Sequence, residues 1–274
     1  MTTVHILTAV HNDLNNLKKL LNSIYRQSIK KFTVTVVDDG STDGTKHYLQ
    51  ENNPSIHIIS GNGNLWWTGS INAGLEQILG TADESDYVLT INNDCTIKPD
   101  YLKKILSVAG SDKIIGSKVV SAQTNKTWDL GERIDWAKGT ITIRQKDSDP
   151  VDAITTKGTL YPVTMFKQIG LLSKRLPHYL SDYEIAIRAK HRGYKLIICS
   201  ACIVTNDTQN TGEGDIIPDK VSFKQGLKLL FSRKSKVNIF DQFWFITLSC
   251  PIEYKLSNYL WLLKKLVKGY NQLL

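Results

Sequence analysis

Over its first 110 residues the chain alternates short β-branched runs with stretches of helical periodicity, and that alternation constrains the fold more than any other feature. TVHILTAV, KFTVTVVD, SIHIIS and DYVLTIN predict strands. DLNNLKKLLNSIYRQS places Leu14, Leu17, Leu20, Leu21 and Ile24 on one helical face. STDGTKHYLQEN, SINAGLEQIL and KPDYLKKILSVA predict three more helices, the middle one starting at Ser70 and the last with Pro99 near its start. Parallel strands cannot be joined by a tight turn and need a crossover, usually a helix. Strict alternation therefore predicts an α/β fold with a mainly parallel, Rossmann-like sheet and helices on both faces. With 274 residues, 41% of them hydrophobic, the chain has material for one large domain or a domain with an appendage.

From about residue 111 the pattern changes. KIIGSKVVS and GTITIRQ predict strands joined by a long polar connection, and DYEIAIRAKHRGYKL predicts a helix closed by Gly193 in the C′ position. YKLIICSACIV returns as a strand. Of the four cysteines, Cys95, Cys199, Cys202 and Cys250, only Cys199 and Cys202 form a CxxC. No second pair follows, which argues against zinc, and the apolar surroundings predict a buried strand with reduced thiols.

In open α/β sheets ligands gather beyond the carboxyl ends of the strands. There the sequence places three polar clusters: Thr8 to Asn12, Asp38 with Asp39, and Asn92 to Asp94. Turn formation explains any one of them; three converging on one edge predict a site. A carboxylate at a strand end accepts hydrogen bonds from an imide N–H or ribose hydroxyls. GNGNLWWTGSINAGL adds a Gly-rich turn entering a helix, whose free N–H groups suit anions. It has neither the Gly-Lys-Ser/Thr ending of a Walker loop nor the position of a dinucleotide fingerprint. Asp94, together with diphosphate oxygens and water, suits Mg2+ or Mn2+. Further on, LPHYLSDYEIAIRAKHRGY puts Asp182 at a helix start with Ser181 as its cap; alone, Asp182 would read as an acid complementing the helix dipole.

Together these segments resemble glycosyltransferase family 2, enzymes of the GT-A fold, over roughly residues 3–205. VVDDGSTDGT is the most specific signature. TAVHNDLNNLKKLLNSIYRQS resembles the family's opening strand and helix, INNDCTIKPDYL stands at its DxD-type metal motif, and GTLYPVTMFKQIGLL followed by YLSDYEIAIRAKHRGYKL resembles its acceptor-side segment. The resemblance implies that Asp39 binds the base, Asp94 the metal, and Asp182 acts as catalytic base. It further implies a nucleotide site of Thr8, Ala9, His11, Asp38, Asp39, Trp67, Gly69, Asn72 and Asn93. Sugar or acceptor contacts are expected from Trp66, Gly158, Thr159, His178, Ser181 and Tyr183. The implied reaction is inverting transfer from a nucleotide sugar to a hydroxyl of a saccharide or lipid-linked saccharide acceptor in bacterial surface polysaccharide synthesis. GNLWWTGSINAGL and HYLSDYEIAIRA lean towards rhamnosyltransferase-like members, hence towards L-rhamnose from dTDP-rhamnose; a UDP-hexose donor is the alternative. Two departures bear on the metal. The motif is Asn-Asn-Asp, so its first acid is missing, and Asn206 and Asp207 stand where some members carry a metal-binding His.

Residues 1–215 are thus expected to form the catalytic domain, with a donor half to about 110 and an acceptor half beyond, and 216–274 a separate basic helical region. From Lys220 onward ten lysines and arginines face only Asp241 and Glu253, so this stretch carries the entire net charge of +8. FKQGLKLLFSRKSK sets Phe223, Leu227, Leu230 and Phe231 against Lys224, Lys228 and Arg233. The last segment sets Tyr259, Leu262, Leu263 and Leu266 against Lys264, Lys265 and Lys268. Basic amphipathic helices suit an anionic membrane surface; packing on the catalytic domain or pairing in a homodimer is the other reading. The opening MTTVHILTAVHND lacks signal-peptide features and no apolar run reaches the roughly 20 residues of a membrane span, so a cytoplasmic protein, peripheral on the inner face of the cell membrane, is expected. No nucleic-acid-binding motif accompanies the basic charge. A nucleotidyltransferase would want a Gly-rich, basic opening loop, which LTAVHNDLNN is not; a non-catalytic nucleotide-sugar-binding module would not need Asp182.

Overall fold

The computed structural model describes residues 2–53, 55–207 and 223–268. The expected boundary at residue 215, Lys220, and the side chains of Phe223 and Lys268 lie outside the described residues. The first half follows the alternation except for the short, unexpected β5: β1 (Val4–Val10), α1 (Leu14–Tyr25), β2 (Phe32–Asp38), α2 (Thr45–Asn52), β3 (Ile56–Ser60), α3 (Trp66–Leu79), β4 (Tyr87–Thr90), β5 (Cys95–Ile97) and α4 (Tyr101–Val108). Then come β6 (Lys113–Ser121), β7 (Thr127–Asp129), β8 (Glu132–Asp135), β9 (Thr140–Ile143), β10 (Thr159–Pro162), α5 (Val163–Ile169), α6 (Ser181–His191) and β11 (Lys195–Asn206). Three helices close the described chain: α7 (Phe223–Phe231), α8 (Ile239–Ser249) and α9 (Ile252–Lys268).

The central sheet runs β3-β2-β1-β4-β10-β6-β11-β5, with β7 paired to β6. Its first four strands are parallel, as the crossover helices require. Beyond them β10 enters antiparallel between β4 and β6, so the sheet becomes mixed where the alternation stops. Strand β1 shows why both faces carry helices. Val4, Ile6 and Val10 enter a core with Leu17, Leu20, Leu21 and Ile24 of α1 and Leu102 and Ile105 of α4. Leu7 and Ala9 enter the other core, with α3, α5 and α6. Each fully buried Leu or Ile contributes roughly 1.5–3 kcal/mol, so a slip of β1 by one residue would exchange the two faces at prohibitive cost.

Two sequence expectations need correction. Cys199 and Cys202 are disulfide-bonded rather than reduced, with Cα atoms 5.2 Å apart. In a straight strand residues three apart sit roughly 10 Å apart. Here the register of β11 against β6 shifts between Cys199 and Ile203, and the bulge brings the two together. The polarity of α9 is also not as expected. Its inward face carries Asn258, Leu262 and Lys265, whereas Ile252, Leu256, Leu260 and Leu263 are exposed. Asn258 sets this rotation by donating from Nδ2 to the Trp136 carbonyl at 2.8 Å, which fixes α9 on the β8–β9 hairpin. On that inward side Leu262 packs with Ile239, Ile246 and Cys250, and Phe245 of α8 joins Leu176 and Ile187. Helices α8 and α9 are thereby packed on the β8–β9 hairpin and α6.

Candidate active site

Asp39 follows β2 and is 5% exposed. Its Oδ1 accepts from the Gly63 N–H at 2.8 Å, and its Oδ2 from Leu65 and Trp66 at 2.9 and 3.1 Å. The carboxylate thus clamps the loop leading into α3, which explains why that helix begins at Trp66 and not at Ser70. The approach is tight: a Cβ at Gly61 would lie 2.4 Å from Asp39 Oδ1, and one at Gly40 would lie 2.7 Å from the Gly63 nitrogen. Asp38 makes a local turn, accepting from Ser41 N–H at 3.0 Å. His11 and Asn12 are exposed at the adjoining rim, His11 held by the Asp39 carbonyl at 2.6 Å. Thr8 and Ala9 are buried beneath them in β1.

The first turn of α3 carries this order across to α6. Thr68 donates from Oγ1 to the Leu176 carbonyl, the same oxygen is hydrogen-bonded with Ser181 Oγ at 2.8 Å, and the Thr68 N–H donates to the Pro177 carbonyl at 3.0 Å. Ser181 is therefore the first residue of α6 and a tie to α3, not its cap; the cap position is Leu180, at φ 67. Trp66 has φ 58. Two non-glycine residues in the left-handed region, each at the start of a helix bordering one cleft, mark a place where surrounding contacts override local preference.

That cleft has a volume of about 780 Å³, within the usual range for ligand sites. It is lined by Trp67, Asn92, Asp94, His178, Asp182 and Tyr183 from the expected set or beside it. The remaining expected residues do not line it. Asn72 is 2% exposed, and its amide exchanges two hydrogen bonds with Leu172 backbone, which occupies it in clamping α3 to the segment after α5. Thr159 is fully buried in β10. Gly158, at φ +79, receives Tyr101 and Ser117 hydroxyls on its carbonyl and leaves no room for a Cβ, which would meet Val204 Cγ2 at 2.5 Å. Gly69 and Trp66 lie in the first turn of α3, with the Trp66 ring edge-on to His178 at 5.5 Å. Asn93 donates to Asp13 Oδ2 at 2.7 Å.

In the cleft lining, Asp94 follows β4; burial raises its pKa, and the Lys157 ammonium pulls part of that rise back. The Lys157 Nζ itself donates to Asn206 Oδ1 at 3.0 Å. Asn92 Oδ1, also at the cleft, is buried without a hydrogen-bond partner. Among the described residues no three His, Cys, Asp or Glu side chains are grouped to hold a metal ion by themselves.

The polar connection between β6 and β9 supplies the cleft lining with two acids the sequence did not single out, Asp129 and Glu132. Tyr183 donates to Glu132 Oε1 at 2.8 Å, and Asp129 Oδ2 accepts from Thr155 Oγ1 at 2.6 Å. Burial, reinforced by the negative charge of Asp129, pushes Glu132 up to about 7. Burial also pushes Asp182 up to about 6, against hydrogen bonds from nearby backbone that lower it. A carboxyl lining a cleft with a pKa near neutrality can take a proton and hold it. The segment is TWDLGERID, in which Asp129, Glu132 and Asp135 recur at every third residue inside what reads as a polar loop.

The residues that build this arrangement can be set against known proteins. The model of the family described as Glycosyl transferase family 2 matches residues 5–170, more than half of the chain. The chain belongs to glycosyl transferase family 2. The match contains the Asp39 clamp and Asp94 but ends before α6 and Asp182. An undecaprenyl-phosphate mannosyltransferase of Micrococcus luteus is 25% identical over 199 residues, covering 63% of this chain and 81% of that protein. The glycosyltransferase GlyA of Streptococcus pneumoniae is 29% identical over 106 residues, covering 37% of this chain but only 14% of its own length. Among solved structures, S. aureus TarS superimposes with a TM-score of 0.63 at 15% identity, over 99% of this chain and 55% of the TarS chain. GalNAc-T7 with UDP, GalNAc and Mn2+ gives 0.62 at 12% identity, over 98% and 57%. These likenesses establish the GT-A fold.

Proposed function

We propose that this chain is an inverting glycosyltransferase that moves a sugar from a nucleotide-sugar donor to an acceptor hydroxyl. The observation that carries the reading is one cleft with Asp94 on one wall and Asp182, its pKa raised to about 6, on another. The fold family binds nucleotide sugars, and relatives act on undecaprenyl phosphate by name. The donor nucleotide is assigned to the rim made by the ends of β1 and β2 and the 61–67 loop, with Asp39 holding that loop and Trp67 facing the sugar. Asp182 takes the proton from the acceptor hydroxyl as its oxygen attacks the anomeric carbon, and the nucleoside diphosphate leaves from the opposite face. Tyr183 and Glu132 keep the base oriented within a negatively charged wall that favours proton uptake.

The donor set around Asp94 fits a divalent cation held largely by substrate phosphates: one carboxylate and the unpaired Asn92 oxygen, with no full protein cage. Asp94 and Asn92 would hold Mg2+ or Mn2+, which when bound offsets charge on the leaving diphosphate. Lys157 adds a fixed positive charge beside it. For the donor, the segments GNLWWTGSINAGL and HYLSDYEIAIRA favour dTDP-L-rhamnose over UDP-hexoses. Hydrolysis of a panel of nucleotide sugars by purified protein, with and without Mn2+, tests the assignment: turnover of dTDP-rhamnose above the UDP- and GDP-sugars is expected, and no turnover of any donor would favour a binding module.

No helix among the described residues is long and apolar enough to cross a membrane. Ile252, Leu256, Leu260 and Leu263 nevertheless form an exposed apolar stripe along α9. By helical geometry Lys255 and Lys264 fall on its two flanks. An anionic membrane surface fits that chemistry, apolar contact plus about 1 kcal/mol per basic residue. A lipid-linked acceptor would make such attachment useful. Full-length protein should float with anionic but not neutral vesicles at low salt; a concentration-dependent dimer that ignores vesicles would reassign the stripe to a subunit interface.

A further inference from the structure

Lys265 is a lysine that the sequence places on the solvated side of its helix and the structure places in the cleft wall. It is 8% exposed. Its Nζ lies 3.6 Å from the centroid of the Trp261 ring and 3.4 Å from Gln242 Oε1. No carboxylate among the described residues pairs with it, and burial alone pulls it down to about 8. A buried ammonium without a counter-ion is destabilising, and an apolar side chain would fill the same place at no such cost. The ring face offsets only part of the lost hydration. What would offset the rest is an anion entering from the cleft.

The location narrows the choice. Asn258 lies two helical turns before Lys265 and ties α9 to Trp136 in the β8–β9 hairpin. That hairpin begins with Glu132, hydrogen-bonded to Tyr183 beside Asp182. Lys265 therefore belongs to the wall continuous with the base, where the acceptor arrives. Asp94 lies on the wall assigned to the donor. We infer that Lys265, stacked on Trp261 and flanked by Gln242, is the counter-charge for a phosphate carried by the acceptor. This deepens the glycosyltransferase reading and rests on it: the acceptor is an anionic sugar phosphate or phospholipid-linked sugar, and α8 and α9 are part of its binding site.

The test uses full-length protein labelled at lysine Cε, with the Lys265 NMR signal assigned by its disappearance in Lys265→Gln, and inorganic phosphate as probe. Saturable perturbation of that signal is expected, with phosphate affinity reduced at least about tenfold in Lys265→Gln and largely kept in Lys265→Arg. Phosphate could instead occupy the donor's diphosphate position, so the titration is repeated with the donor side saturated by nucleoside diphosphate and Mn2+. Unchanged phosphate affinity supports the acceptor assignment. Full competition overturns it and gives Lys265 to the donor. No response of Lys265, or equal affinity in the Gln variant, overturns the anion site altogether. Asp182→Asn should keep phosphate binding while losing transfer, so failure of the anion site and failure of the catalytic reading give different results.

Discussion

Replacing Asp39 by Asn separates the roles of two adjacent aspartates that the sequence presents as a pair. The Asp39 carboxylate receives three backbone N–H groups, one on Oδ1 and two on Oδ2. An Asn side chain has one oxygen. Its best orientation keeps Leu65 and Trp66 and turns an NH2 group against the Gly63 N–H, leaving two donors facing each other. A buried charge-assisted bond lost in this way costs about 1–3 kcal/mol. At about 2–4 °C per kcal/mol for a chain of this size, a cost of about 2 kcal/mol lowers Tm by about 4–8 °C. Asp38 is equally buried but accepts a single described bond, from Ser41, which Asn can still receive. Asp38→Asn should therefore stay within about 1 kcal/mol of wild type. Thermal melts of both variants, with and without nucleoside diphosphate, provide the comparison; the Asp39 variant should also lose nucleotide affinity as its loop loosens. Equal melting of the two variants, or an unchanged Tm in Asp39→Asn, would refute the clamp.

Gly158→Ala forces a Cβ at φ +79 to within 2.5 Å of Val204 Cγ2 and 2.7 Å of the Tyr101 hydroxyl; the left-handed backbone alone costs about 1–2 kcal/mol, so the unfolding free energy from urea titration should fall by more than that. Glu132 and Asp182 titrate higher in the folded protein, at about 7 and 6, than at their ordinary 4.5 and 3.8. The folded state thus holds more protons across that window, and their contribution to stability declines as pH rises from about 4 to about 7. Glu132→Gln should gain stability relative to wild type over the upper part of that window, measured as the difference in Tm. Asp94→Ala should abolish both transfer and any Mn2+-dependent tightening of nucleotide binding in calorimetry; full activity in chelator would remove the metal from the account.

The parallel half of the fold was legible because each of its four strands and the helices between them carries its own period; the three-residue β5, which pairs antiparallel with β11, is an addition that no period announces. The start of α3 was not legible, since it is set by a carboxylate more than twenty residues upstream. Nor was the antiparallel entry of β10, which joins β4 and β6 from a segment with no distinguishing alternation. Of the expected site residues, Asp39, Asp94 and Asp182 stand at chain features a sequence displays: a strand end, a strand end and a helix start. Asp129 and Glu132 sit on strands of three and four residues within a polar stretch, too short to show a period. Lys265 was misplaced because a lysine at that helical position reads as solvated until Asn258 fixes which way α9 faces.

The central claim is that Asp182 is the proton acceptor in the transfer. Asp182→Asn preserves shape and its place at the start of α6 but cannot take a proton. Transfer kinetics and nucleoside diphosphate calorimetry on the same preparation decide the matter. Transfer should fall by at least about 10²-fold while nucleotide affinity stays at the wild-type value. Wild-type turnover in the variant, or a loss of binding equal to the loss of rate, would contradict the account.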